Sequence, residues 1–234
     1  MWRRTAIAAA GLALALGACG GDDRPDAPAA SSPAARPERV RFPASDGRTV
    51  DGIFRPAGTG APAVILVNGL VGGPAQWDAF VPYLHDAGFA TLAYDGRGGV
   101  DVAALAEEVG GAVAFLRGRS DVDPRRLGIV GASVGGSTAL LAVAGPERRR
   151  LRAAVALSPR AARALGALKA ERRYHPRNVL FVSDQREQTT VEPLTRGAIG
   201  SRSVVSEMTG HGVALLGSEA YRGVVLEWLE QHLG

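Results

Sequence analysis

Cysteine and lysine are almost missing from this chain: its 234 residues contain one of each, Cys19 and Lys169. A single cysteine rules out an internal disulfide, and with no Cys/His cluster at metal-ligand spacing the expected metal content is none. No glycine-rich loop has the spacing that cradles phosphates, so no nucleotide or other cofactor is expected. Aromatic residues make up only 6% of the chain. They are not interleaved with the basic residues and no nucleic-acid motif is present, so a nucleic-acid partner is not expected. The net charge of +4 is carried almost wholly by arginine, a skew that points to GC-rich coding more than to function. Arg148, Arg149, Arg150 and Arg152 form one cluster. The simpler reading of them is solvated helix ends and loops; the other is contact with anionic lipid head groups. Long apolar runs are also missing, since the stretch from Ala6 to Leu16 is too short to span a bilayer as a retained helix.

That stretch follows Arg3 and Arg4 and is followed by small residues, the pattern of a secretory signal over residues 1–18. Leu16-Gly17-Ala18-Cys19 resembles the lipobox of bacterial lipoproteins. The resemblance implies that the Cys19 thiol receives a diacylglyceryl group and becomes the new N-terminus, which would account for a lone thiol. A plain signal peptide with an incidental cysteine is the alternative. Residues 19–37 are then the lipidated cysteine and a tether rich in Pro, Ala, Ser and Asp, too polar to bury a core and expected to be disordered. The expected location is the cell envelope, anchored at its periplasmic or outer-membrane face. Gly20, where an aspartate would favour inner-membrane retention, is a hint toward the outer membrane.

Residues 38–234 suffice for one domain. ERVRFPA and TVDGIFRP alternate around Ser45-Asp46-Gly47-Arg48 and predict an antiparallel hairpin. After them, strand-like and helix-like segments take turns. PAVILV, FATLAYD, RLGIVGAS, LRAAVALSP, NVLFVS and SRSVVSEM read as strands. AQWDAFVPYLHDAG, VDVAALAEEVGGAVAFLRGR, GGSTALLAVAG and EAYRGVVLEWLEQHL read as helices. An α/β domain on a mostly parallel sheet follows, with functional residues expected at the carboxyl ends of its strands.

One such end carries Gly131-Ala132-Ser133-Val134-Gly135, directly after RLGIV and directly before GSTALLAVA. Strand, sharp turn and helix in that order push Ser133 out on a strained bend, a setting for a nucleophile. The N–H of Val134 opens the helix, where unpaired donors can hold an oxyanion.

With Ser133 on this elbow, the order of elements from about Arg39 to Leu233 resembles the α/β-hydrolase family. Asp95-Gly96-Arg97-Gly98 is similar to a D-x-R-G-x-G turn common there, with Arg97 in a structural role. The resemblance implies a three-layer α/β-hydrolase-like sandwich and a second oxyanion donor from the loop Asn68-Gly69-Leu70-Val71-Gly72-Gly73, namely the N–H of Leu70. Asn68 stands where the family more often has His, a departure that a backbone donor tolerates. The family order of nucleophile, acid and histidine implies that His211, in Thr209-Gly210-His211-Gly212, is the general base. His85, His175 and His232 read as surface residues. For the acid the strand NVLFVS is followed by two candidates: Glu187, preferred by spacing, and Asp184 as the alternative. Only about twenty residues separate LRAAVALSP from NVLFVS, room for one helix and no cap domain.

The function these residues imply is a membrane-tethered serine hydrolase that cleaves an ester or related small-molecule acyl compound through an acyl-enzyme. A non-catalytic binding lipoprotein on a hydrolase scaffold, or an acyltransferase using the same residues, are the alternatives.

Overall fold

The computed structural model describes residues 36–234. The signal sequence, Cys19 and all but the last two residues of the tether lie outside the described residues.

The expected hairpin is β1 (Glu38–Pro43) against β2 (Thr49–Arg55), antiparallel, with Val40 opposite Gly52. Then come β3 (Ala61–Val67), α1 (Val81–Asp86), β4 (Ala90–Asp95), α2 (Val102–Arg117), β5 (Val122–Ala132) and α3 (Val134–Ala144). β6 (Leu151–Leu157), α4 (Arg163–Ala170), β7 (Val179–Asp184), α5 (Gln188–Thr195), β8 (Arg202–Ser206) and α6 (Glu219–Leu233) complete the chain. One eight-stranded sheet results, in the order β1-β2-β4-β3-β5-β6-β7-β8. β2 meets β4 antiparallel, and every pairing from β4 through β8 is parallel.

The central strands are apolar throughout because helices cover both faces. Along β3, Ala63, Ile65 and Val67 enter the core under α2 and α3, while Val64 and Leu66 enter the one under α1 and α6. The helix α3 is buried nearly all round, which its run of small and aliphatic residues permits. Asp101 starts α2 by accepting the N–H groups of Ala103 and Ala104 at 3.1 and 3.2 Å.

Two stretches depart from the sequence reading. The segment from Ala75 to Gly88 is no continuous helix: a 3-10 turn over Pro74–Trp77 precedes a six-residue α1. Pro82 lies in the first turn of α1 and cannot donate a backbone bond to an earlier turn, so the helix has to begin there. The second is α5, which the sequence does not announce and which seats Val191 and Leu194 in the core. The connection between β6 and β7 holds one helix, α4. Among the described residues no helix is long and apolar enough to cross a membrane.

Candidate active site

Ser133, Glu187 and His211 all lie beyond the carboxyl ends of strands: β5, β7 and β8 respectively. Ser133 has φ 54° and ψ −115°. A non-glycine residue there stores on the order of 1–3 kcal/mol of backbone strain, which persists only where the surroundings impose it. They do so here. A methyl on Gly131 would overlap the Gly135 carbonyl, and one on Gly135 would run into the carbonyls of Val67 and Asn68. The Ser133 N–H is tied to Leu157 O at 2.8 Å, and its side chain makes no cap bond to α3, so the hydroxyl is left for the cavity.

His211 is half exposed, on the loop between β8 and α6. Its Nδ1 lies 2.5 Å from Glu187 Oε1. The other Glu187 oxygen accepts the Asp184 N–H at 3.2 Å, which fixes the carboxylate's orientation. Asp184 makes no hydrogen bond to the imidazole. It is buried, accepts from Arg186 Nε at 3.0 Å and from the Arg186 N–H at 2.9 Å, and takes the Gly210 N–H at 3.3 Å. The Arg186 guanidinium, assisted by the Gly210 N–H, holds its carboxyl below the usual carboxylate range against the opposing effect of burial. On the far side of His211, the Gly212 N–H donates to Ser158 Oγ at 2.9 Å. The histidine loop is thus pinned one residue before and one residue after His211.

Across the cavity, the loop after β3 is shaped by two side chains. Asn68 donates to Tyr94 O and accepts from Trp77 Nε1, both at 2.9 Å. This is a structural bridge, so a residue whose role here is to anchor the loop occupies position 68. Gln76 accepts the Gly69 N–H at 2.9 Å and donates to Val71 O, gripping the loop on either side of Leu70. Among the described residues neither the Leu70 N–H nor the Val134 N–H has a hydrogen-bond partner.

Ser133, His211, Leu70, Gln76 and Arg160 line one open cavity of about 430 Å³. Glu187 stands behind His211 in the adjoining cleft with Ser158 and Arg160. The sequence reading did not find Gln76, Ser158 or the anchoring role of Asp184: Ser158 and Asp184 act on backbone groups 54 and 26 positions away, and Gln76 folds back on its own loop, a contact that no motif spacing marks. Of the other histidines, His175 is exposed, whereas His85 and His232 are half-buried rather than surface residues. Burial, with the Arg55 charge nearby, lowers the His85 pKa. Among the described residues no group of three or more His, Cys, Asp or Glu side chains is arranged to hold a metal ion.

Arg97, at the turn after β4, keeps to structure: its Nε and backbone N–H bond Glu108 Oε1 at 2.8 and 2.9 Å, and its guanidinium reaches Asp46 at 2.8 Å. It joins the hairpin turn to α2.

No family model matches the chain. Over 130 residues it is 32% identical to the Escherichia coli (strain K12) protein named "Uncharacterized protein YfhR", covering 50% of this chain and 45% of that protein. Over 128 residues it is 33% identical to "Uncharacterized protein Rv2307c" of Mycobacterium tuberculosis H37Rv, covering 51% and 46%. The chain therefore spans about half the length of the curated relatives it matches. Among solved structures, the Pyrococcus furiosus esterase Pf2001 is similar with a TM-score of 0.69 at 16% identity, over 86% of this chain and 94% of that one. Dienelactone hydrolase from Anabaena variabilis is similar with a TM-score of 0.70 at 20% identity, over 85% and 99%. The thermophilic carboxylesterase EstE1, cloned from a metagenomic library, gives 0.66 at 15% identity, over 86% and 90%. The fold is that of the α/β-hydrolases: a mostly parallel eight-stranded sheet between helical layers, with an antiparallel pair at its N-terminus.

Proposed function

We propose that this chain is a serine hydrolase acting on an ester or related acyl compound, tethered to a membrane through lipidated Cys19. The observation that carries the catalytic reading is a pair of facts about one cavity. Ser133 faces it from strained backbone, and His211 faces it with its far nitrogen 2.5 Å from Glu187. In this reading Ser133 Oγ attacks the acyl carbon as His211 Nε2 takes its proton. Glu187 keeps the imidazole in the required tautomer and balances the imidazolium that forms. The N–H groups of Leu70 and Val134 receive the oxyanion. Collapse of the tetrahedral intermediate breaks the bond to the leaving alcohol, which takes the proton from His211. Water, deprotonated by the same histidine, then releases the acid and restores Ser133.

Two of the similar solved structures are an esterase and a carboxylesterase, which favours carboxylic esters as the first class to try. An open cavity, with one helix between β6 and β7, favours small, short-acyl, soluble esters, because a long chain gains only from an enclosed apolar groove. Transfer of the acyl group to another acceptor would use the same acyl-enzyme. A purely binding role has no use for a strained serine beside a carboxylate-oriented histidine.

A fluorophosphonate is expected to label the chain stoichiometrically at Ser133, and Ser133→Ala should be silent while remaining folded. Labelling at another serine would overturn the assignment. For the tether, Cys19→Ser should lose its lipid and leave the membrane fraction; unchanged fractionation would overturn that part alone.

A further inference from the structure

Seven arginines come together at the edge of the sheet opposite the candidate active site. Arg117 ends α2 and Arg125 is the fourth residue of β5. Arg148, Arg149 and Arg150 lie between α3 and β6, Arg152 is the second residue of β6, and Arg177 precedes β7. They line a single open concavity of about 430 Å³, and all seven are exposed. Local acidic charge is sparse: Arg125 pairs with Asp123 and Arg150 with Glu147, while the other five have no carboxylate partner among the described residues. The sequence shows four of these arginines as one run; Arg117, Arg125 and Arg177 join them only because three αβ connections end on the same edge. Solvated, scattered helix ends would not gather five unpaired guanidiniums around one hollow, given their mutual repulsion.

The position of the chain's N-terminal arm adds a second, independent observation. β1 pairs with β2 so that Glu38 lies opposite Phe54, and β2 runs antiparallel to β4. Residues 36 and 37 therefore leave the sheet toward the amino-terminal ends of the parallel strands, the edge that carries the arginines. Glu38 is held there by Arg119 at 3.0 Å, two residues beyond Arg117. A membrane anchor upstream of Arg36 would be attached to the domain on this edge.

We propose that this arginine-lined edge docks on a membrane surface of anionic phospholipid, its guanidiniums receiving head-group phosphates. The step from surface to orientation rests on the tether reading given above. Guanidinium suits this role because its planar fork bonds phosphate oxygens two at a time. Docked so, the strand ends that carry Ser133 and His211 point away from the bilayer, about 20 Å off across the six residues from Leu127 to Ala132. The site then draws substrate from the aqueous side, in keeping with small soluble esters.

The test uses the full chain carrying Cys19→Ser, so that no acyl group contributes, with and without Arg148→Glu, Arg149→Glu and Arg152→Glu. Co-sedimentation is measured with vesicles of phosphatidylcholine alone and with one third phosphatidylglycerol. The parent should partition onto the anionic vesicles and lose that binding as salt is raised. The triple variant should bind them at least about a hundredfold more weakly, with equal residual binding of both chains to phosphatidylcholine. Should the triple variant misfold, Arg117→Gln with Arg177→Gln, drawn from other elements, is expected to cost about tenfold. Equal binding by folded parent and variants, parent binding indifferent to phosphatidylglycerol, or tight binding to an RNA duplex with none to vesicles would each overturn the proposal. Absence of lipid on wild-type Cys19 would defeat the tether and leave the vesicle result as it stands.

Discussion

Glu187 Oε1 meets His211 Nδ1 at 2.5 Å, although the more deeply buried carboxylate in the same turn, Asp184, is only three residues away. The two are divided by what already occupies them. Asp184 is engaged by Arg186 and by the Gly210 N–H, so its charge is spent on holding loops. Glu187 gives one oxygen to the Asp184 N–H and has the other left for the imidazole.

Glu187→Gln should therefore keep the fold and lower turnover by roughly a thousandfold to ten-thousandfold, because an amide stabilises the wrong tautomer and cannot balance an imidazolium. Asp184→Asn should retain most of the turnover, since its partners reach His211 only through the loop. Steady-state kinetics with a short-chain ester decides between them. A large loss at Asp184 beside a near-normal Glu187→Gln would reverse the roles.

Gln76 offers a different handle, because both of its side-chain hydrogen bonds go to the loop that would supply the Leu70 N–H. Gln76→Ala releases both the Gly69 N–H and the Val71 carbonyl, and should cut kcat by about tenfold to a hundredfold with KM little changed, as expected for a misplaced oxyanion donor. A rise in KM alone would mean that the side chain shapes substrate binding instead.

Much of this arrangement can be read from the sequence where a residue's neighbours in the chain decide its place. The runs at β3, β5, β6 and β7 are apolar because both faces are covered, and the glycines around Ser133 mark the elbow directly. The sequence also brings forward His211 and the pair Asp184 and Glu187, with spacing favouring Glu187; what separates the two carboxylates is their partners, Arg186 and the Gly210 N–H for Asp184 and the imidazole for Glu187. α5 is hidden for a related reason. QTTVEPLT contains Pro193 and β-branched residues unsuited to a helix, and Val191 and Leu194 hold it by packing. Ser158 lies beyond any local signal, since its contact with Gly212 spans 54 positions.

Arg97 is expected to matter for stability more than for turnover. Glu108 is only 2% exposed and its Oε1 takes the Arg97 Nε and the backbone N–H; Arg97→Ala keeps the backbone donor and leaves the buried carboxylate without its charge partner. The cost should be about 3 kcal/mol or more, in the range for breaking one partner of a buried pair. Urea denaturation measures it. Adding Glu108→Gln to Arg97→Ala should recover part of the loss, and a strictly additive double mutant would show that the pair is not coupled.

Acid should unfold the domain through its arginine-bound aspartates. Arg186 lowers the Asp184 pKa, Arg119 that of Asp121 and Arg97 that of Asp46, while Arg125 and Arg126 bring Asp123 down to about 2. A carboxyl with a lower pKa in the folded than in the unfolded state binds fewer protons when folded. Its contribution to stability is therefore complete above the ordinary carboxylate value of about 4 and drains away as pH falls through the depressed folded values. Urea midpoints should hold steady from pH 7 to about 5 and then decline toward pH 2. Asp184→Asn should start lower and decline less steeply, because one of the titrating groups is gone. Near-neutral activity in that variant, with the flatter acid limb, would separate Asp184's part in holding the histidine loop from the part assigned to Glu187; a limb as steep as the parent's would mean that Asp184 contributes nothing to the acid transition.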